Sequence, residues 1–519
     1  MAVDPGAAGG SPEPQVPIGA GWRALPAVLV GLIVIANGWS GLMPGVGFWD
    51  TGEFQTVLPL LGTAHPTGYP TYVLLGFIGD LLLAPLGAPA FRITVLSLIA
   101  VAVASGATVV LVRRLTGMTA LGVVAGLGLA LTPVVWQNAT RADPHPLHLA
   151  LVAVLFVLLV GWSSRRRDAR PDADRWLLAA TFVYALAVGN HLLSLLLAPP
   201  IGLFVLAVEP GIWRRPRLIA TCALVLAATV VVLFLELPLR AGPLRAPLVY
   251  GHPETWDGFW YIALAEQFRG SLVDPFGDLP QKIGVVGQMA WAQFGILAYA
   301  LPLGFVATAI RRPRYALLSG LAMAITLFFD ASYQNADIAR YYLTPVLWAW
   351  TWLAVLVAVV IEGLAGRDLD AGPALGRVVA VALSAALLVP SIGDLGERRI
   401  GADRHRDTDA GYWLDQTLPI LAPDAVVVSW WSTSTALWYA KLVEGRRPDI
   451  EIIDDRTILD LDLGAATDVI DRYLGTRPVY VIRANGGDLA KVMARFALRR
   501  VAGDGSSAVY EVTGRVGGG

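Results

Sequence analysis

The sequence predicts a polytopic α-helical membrane protein of about eleven crossings, followed by a small soluble α/β domain. Three observations carry that prediction. Apolar runs near the ~20 residues needed to cross a bilayer recur between residues 22 and 391. The arginines between those runs fall in short clusters. Beyond residue 391 the apolar runs shorten to strand length and alternate with helical patterns.

The elements follow in order. Residues 1–21, rich in Gly, Pro and Ala, read as a disordered leader, and 22–43 is too long and lacks the cleavage pattern of a signal peptide. Apolar segments follow at about 69–87, 91–112, 119–137, 146–162, 175–190, 192–208, 217–237, 286–310, 315–330, 341–361 and 374–391. Arg113-Arg114, Arg165 to Arg167, Arg214-Arg215 and Arg311-Arg312 fit the cytoplasmic face, with the N-terminus on the same side. Parity then requires one segment not to cross. The segment 69–87 is expected to lie along the membrane, because it is short, contains Asp80 and is bounded by Gly and Pro. The loops 44–90, 138–145, 238–285 and 331–340 and all of 392–519 are then expected outside. In the tail, 425–431, 450–454, 478–482 and 508–512 read as strands and 435–443, 467–474 and 489–498 as helices. Asn485-Gly486-Gly487 reads as a turn, weak evidence for a nucleotide site, and the tail reads best as a folding or acceptor-docking module.

Composition excludes several functions. A net charge of -1 without a basic face gives no support for nucleic-acid binding. The lone Cys222 lies in an apolar run, so no disulfide or cysteine metal site is expected. A transporter would place ionisable groups near mid-membrane on broken helices in repeated halves, whereas the polar motifs here gather in the outer loops. A lipid-linked sugar flippase and a non-catalytic scaffold remain as alternatives to an enzyme.

The polar motifs are few. Asp50 and Glu53 lie three apart between Trp49 and Phe54, so on a helix both carboxylates point to one side, one serving as base while the other positions it. The alternative is a solvated loop or a helix N-terminus carrying acids, and the flanking Trp49 and Phe54 at an interface favour function over it. Asp143 offers a further carboxylate in a loop fixed by two prolines. His145 and His148 have a spacing that a metal could use, but without a motif of the HExxH type no metal is predicted, and His148 is expected to be satisfied by a backbone carbonyl. His191, Arg240 and Arg245 sit at the expected headgroup level, where arginine suits phosphate and also snorkels. Asp337 and Arg340 are expected to pair with each other, beside Tyr341 and Tyr342 as interfacial anchors. Tyr69, His148, Arg245, Asp337 and Arg340 complete the candidates as contacts to donor or acceptor.

These motifs resemble an O-mannosyltransferase-like membrane family, which includes the animal enzyme glycosylating plexin-type receptors, within the GT-C glycosyltransferase superfamily. The resemblance covers most of 22–391 and rests on WDTGEF (49–54), AHPTGYP (64–70), RADPHPLH (141–148), GNHLLSLLLAP (189–199) and the arginine-containing stretch 237–260, with LWYAKLVEGRRPDIEIID (437–454) in the tail. It implies transfer of a sugar, mannose by the family's habit, from a polyprenyl-phosphate donor to an acceptor hydroxyl on the extracytoplasmic face. Such an acceptor belongs to a protein, a glycolipid or a glycan. By the same resemblance Asp50 is catalytic with Glu53 alongside, and His65 replaces a lysine near the donor phosphate. Asp143 matches a second acid that is usually Glu. His65, His191 and Arg240 would hold the phosphate charge. No cofactor is implied, and the partners are the lipid-linked sugar, the acceptor and membrane lipids.

Overall fold

A computed structural model of the 519-residue chain describes residues 20–365, 373–483 and 486–517. Residues 1–19 of the expected leader lie outside the described residues, and α1 (Ala20–Trp39) opens directly after them. Two short helices then follow, α2 (Trp49–Leu60) and α3 (Pro70–Leu82). At ~1.5 Å per residue the 13 residues of α3 extend ~20 Å, short of a ~30 Å hydrocarbon core.

The bundle continues with α4 (Pro89–Thr116), α5 (Thr119–Leu131), α6 (Pro133–Ala139), α7 (His145–Arg167), α8 (Ala173–Asn190), α9 (Ala198–Val208), α10 (Pro216–Phe234) and α11 (Glu236–Ala241). After α12 (Trp256–Ala263) come α13 (Leu279–Phe294), α14 (Leu301–Arg311), α15 (Pro313–Asp330), α16 (Leu343–Ala365) and α17 (Pro373–Ala386). Proline stands in the first turn of α3, α4, α6, α10 and α15, where its missing N–H costs nothing.

Each expected crossing is helical, but the segments differ in regularity. Among the described residues five stretches are long and apolar enough to cross by length and composition: Pro89–Thr116, His145–Arg167, Pro216–Ala241, Leu279–Arg311 and Ile338–Leu364. The expected crossing at 119–137 is instead a bent pair, α5 and α6 meeting at 67°. Thr132 there has extended backbone ahead of Pro133, which disfavours helix at the preceding residue.

The centre of the bundle is α4 and α16, packed around Trp162, Trp348 and Trp350. By contrast α10 leaves Ile219, Leu224, Val231 and Val232 bare. A helix with mean hydropathy 2.9 and so exposed an apolar surface requires lipid around it, and the chain is a multi-pass membrane protein. The basic clusters collect at one end of the bundle. There Arg166 pairs with Glu209 at 2.6 Å, Arg215 pairs with Asp174, and Arg312 Nε donates to the Leu115 carbonyl at 2.7 Å.

The C-terminal region builds a five-stranded sheet from β1 (Val426–Ser429), β2 (Glu451–Asp454), β3 (Val479–Ile482), β4 (Phe496–Ala502) and β5 (Val509–Arg515), in the order β2-β1-β3-β5-β4. Val426 is in register with Glu451 and with Val479 in parallel pairings, and Tyr480 with Glu511 in an antiparallel one. The central strands β1 and β3 are wholly buried, as strands covered on both faces must be. One expected helix is corrected. The stretch 489–498 divides into a helix ending at Met493 and strand β4, because pairing of Leu498 to Val512 and Arg500 to Tyr510 overrides the helical preference of Ala, Leu and Arg. Gly486 opens that helix rather than a turn, and Asn485 lies outside the described residues.

The sheet domain is joined to the bundle. Its helix α18 (Trp431–Trp438) packs on α2, Phe54 and Leu58 share a buried cluster with Trp438, and the Tyr439 hydroxyl accepts from Ala90 N at 3.1 Å. Arg456 donates to the Val249 carbonyl at 2.8 Å and lies over the rings of Tyr250 and Trp438.

Candidate active site

The first polar run folds as the opening turns of α2, and Asp50 and Glu53 diverge to different partners. Glu53, 1% exposed, accepts from His65 N at 2.8 Å with one oxygen and from His65 Nδ1 with the other. The far ring nitrogen of His65 meets the Tyr69 hydroxyl at 3.1 Å. Burial works against the charged imidazole, but Glu53 and Asp50 outweigh it and hold the His65 pKa above its ordinary value of 6.5. Tyr69 makes this possible from a left-handed conformation, φ +50°, that non-glycine residues seldom adopt, with its ring edge-on to Phe54 at 5.2 Å.

Asp50 turns the other way, to Arg340. Its Oδ2 lies 2.6 Å from the Arg340 guanidinium, which also reaches Asp143 Oδ2 at 3.1 Å, so one cation bridges two carboxylates from distant loops. Burial raises the Asp50 pKa, but Arg340 first and His65 next more than offset it, leaving it below the usual value. Asp143 is enclosed more completely. Its other oxygen accepts from His145 N at 2.8 Å and from His145 Nδ1 at 2.7 Å, and Arg141 stands 3.8 Å away. Against the cost of burial, His145, Arg340 and Arg141 hold this carboxyl well below the carboxylate range.

Three further rings close the cluster. His191 breaks the end of α8 with an extended backbone, its Nδ1 accepting from Leu193 N at 3.1 Å. Its ring lies 4.8 Å from His145 and 5.6 Å from both Tyr69 and Tyr341. Trp431, at the start of α18, puts its ring 5.9 Å from His65 and 6.2 Å from Trp49. The sheet domain therefore contributes directly to the wall of the site.

Of the residues expected from sequence, Asp50, Glu53, His65, Tyr69, Asp143, His191 and Arg340 come together. Others do not. Arg240 donates to the carbonyls of Leu61 at 2.6 Å and Leu60 at 2.8 Å, capping the C-terminal end of α2, so its guanidinium is committed to the scaffold and not to the cluster. Arg245 is exposed in the loop after α11. Asp337 and Arg340 do not form the expected ion pair. Asp337 pairs with Arg141 while Arg340 turns inward to Asp50 and Asp143, since two more enclosed carboxylates outcompete one half-exposed neighbour. His148 meets the Ser194 hydroxyl at 3.3 Å in place of the expected backbone carbonyl. Sequence reasoning missed Arg141 and Trp431, read Tyr341 only as an interfacial anchor, and read His145 only for its spacing. The Asp-Pro-His order was the available signal for His145, because a turn folds its ring back onto the acid two residues earlier.

Residues 50–211, which contain both acid loops and His191, match the family model described as the Protein O-mannosyl-transferase TMEM260 N-terminal domain. Protein O-mannosyl-transferase TMEM260 of Mus musculus is 26% identical over 431 residues, covering 78% of this chain and 59% of that protein. The Dictyostelium discoideum protein of the same name is 25% identical over 278 residues, 50% of this chain and 33% of its own. The chain thus spans less than two thirds of the length of the curated relatives it matches. Among solved structures, ArnT from Cupriavidus metallidurans bound to undecaprenyl phosphate superposes with a TM-score of 0.58 at 16% identity, over 95% of this chain and 98% of that one. The chain shares the fold of the GT-C protein ArnT, and over residues 50–211 it is similar to the N-terminal domain of the O-mannosyl-transferase family.

Proposed function

We propose that this protein is a membrane glycosyltransferase that moves mannose from a polyprenyl-phosphate donor to a hydroxyl of a protein acceptor on the extracytoplasmic face, with inversion at the anomeric carbon. The observation that carries the reading is the sharing of Arg340 between Asp50 and Asp143. The names of the curated relatives favour mannose and a protein acceptor, and the ArnT structure, which holds undecaprenyl phosphate, favours a lipid-phosphate donor. The arginine clusters at the opposite end of the bundle favour placing the site outside, where the membrane itself must deliver the sugar.

In this mechanism the donor phosphate competes with Asp50 for Arg340. Phosphate suits a guanidinium bidentately, and Asp143 retains the other side of the cation. Protonated His65, fixed by Glu53, adds positive charge nearby. Released from Arg340, Asp50 becomes a stronger base. It takes the proton of the acceptor hydroxyl, the oxygen bonds to the anomeric carbon, and the bond from that carbon to the phosphate oxygen breaks. Its electron pair stays on the departing polyprenyl phosphate. Asp143 is unsuited to the proton transfer because both its oxygens are occupied. The cations Arg340 and His65 let the transfer proceed without a metal, so a chelator should leave the rate unchanged.

The test is reconstitution in liposomes with radiolabelled polyprenyl-phosphate mannose and a membrane extract. Label is expected in the protein fraction, with release of polyprenyl phosphate. Label in no fraction, with several donor sugars tried, would refute a transferase.

A further inference from the structure

The carboxyl ends of the three parallel strands meet at one edge of the sheet, and each leaves a buried polar atom without a partner among the described residues. Trp431 Nε1 follows β1, Asp454 Oδ2 ends β2 and Arg483 Nε follows β3. Their remaining atoms are fixed: Trp431 N donates to Asp455 at 2.6 Å, Asp454 Oδ1 accepts from Thr457 N at 2.8 Å, and Arg483 Nη1 donates to the Ser429 carbonyl at 2.9 Å. Arg483 is only 7% exposed and lies over the Trp430 ring. Unmet hydrogen bonds of this kind cost free energy unless a ligand or water completes them.

The edge is also well placed. The chain leaves β1 towards β2 on one side and leaves the adjacent β3 towards β4 on the other, and parallel sheets bind ligands at the carboxyl ends beside such a reversal. Trp431 joins this edge to the cluster through its contact with His65. Trp49 lies against it, 57% exposed and held at φ +58°, an open aromatic shelf one residue before Asp50.

We infer that this edge seats the acceptor: a polypeptide segment lying between Trp49 and Trp431, its backbone groups completing Arg483, Asp454 and the Trp431 indole, its Ser or Thr hydroxyl directed to Asp50. The two unmet donors and one unmet acceptor match the mixed carbonyl and N–H groups of an extended peptide, whereas the carboxylates at the edge disfavour a phosphate. This rests on the transferase reading above and adds to it the docking site.

The test uses the full chain in liposomes, polyprenyl-phosphate mannose and a pool of synthetic Ser- and Thr-containing peptides. Arg483→Gln and the exposed-site variant Trp49→Leu are each expected to raise the KM for peptide about tenfold. The KM for the lipid donor should stay within twofold, which also reports a folded protein. An unchanged peptide KM in both variants would overturn the seat alone, and wild-type label entering a glycan and not peptides would overturn the seat and the protein acceptor while leaving the transferase. A wild type that transfers to nothing overturns the transferase reading and the seat with it.

Discussion

Arg340 is the residue on which the site turns. It lies mostly enclosed between Asp50 and Asp143, and removing it would leave two carboxylates facing each other in a poorly solvated space. Arg340→Gln is expected to destabilise the protein by about 3–5 kcal/mol, measured by thermal unfolding in detergent. The pH dependence follows from His65 and Asp50. The raised pKa of His65 gives stability that is complete below its unfolded value near 6.5 and is lost as pH rises through the folded value. The lowered pKa of Asp50 gives stability complete above its unfolded value near 3.8 and lost as pH falls through the folded one. Stability should therefore decline as pH climbs above 6.5, and His65→Gln should flatten that decline. A His65→Gln protein that keeps the same alkaline slope would show that another group titrates there.

At the scale of elements, α2 is the piece that positions the chemistry, and it is gripped from three sides. Arg240 caps its end, Gln55 accepts from Gly47 N at 2.8 Å, and Gly52 lies against the chain on both flanks. A Cβ at Gly52 would come within 2.2 Å of the Gly47 carbonyl oxygen and 2.9 Å of Thr435 Oγ1. Gly52→Ala should cost about 1–3 kcal/mol and displace Asp50, read as lower thermal stability with a fall in turnover. Much of this element was legible beforehand. The acids and the tight turns could be read from residue types and spacing, and His65 from the family resemblance, whereas the direction each acid takes could not. Three-residue spacing says that Asp50 and Glu53 share a side of a helix; only the loop bearing His65 and the turn bearing Arg340 pull them apart. Arg240 illustrates the same limit, since an arginine near a membrane edge serves a phosphate or a helix end equally well until its neighbours are known.

For the whole molecule, local periodicity sufficed to place the helices of the bundle, the bend between α5 and α6 aside, and four of the five strands among the described residues. Strand β4 was hidden because its Ala, Leu and Arg residues favour helix and only β5 makes them a strand. The docking of the sheet domain on α2 was equally hidden, since no local pattern in 392–519 refers to residues near 50. Arg456, 8% exposed and bonded to Val249, is a principal fastening of that junction. Arg456→Ala should speed amide hydrogen exchange in 244–255 while leaving exchange in α4 and α7 unchanged. Uniform acceleration throughout the protein would instead mark a general loss of stability.

The central claim, that Asp50 is the base of a sugar transfer, is tested most directly by comparing Asp50→Asn with the wild type. The two quantities are the rate of polyprenyl phosphate release in liposomes and the affinity for polyprenyl-phosphate mannose. Loss of a general base predicts a fall in rate of about 10²–10⁴ with donor affinity little changed. An Asp50→Asn protein that binds donor and turns it over at the wild-type rate would contradict the account.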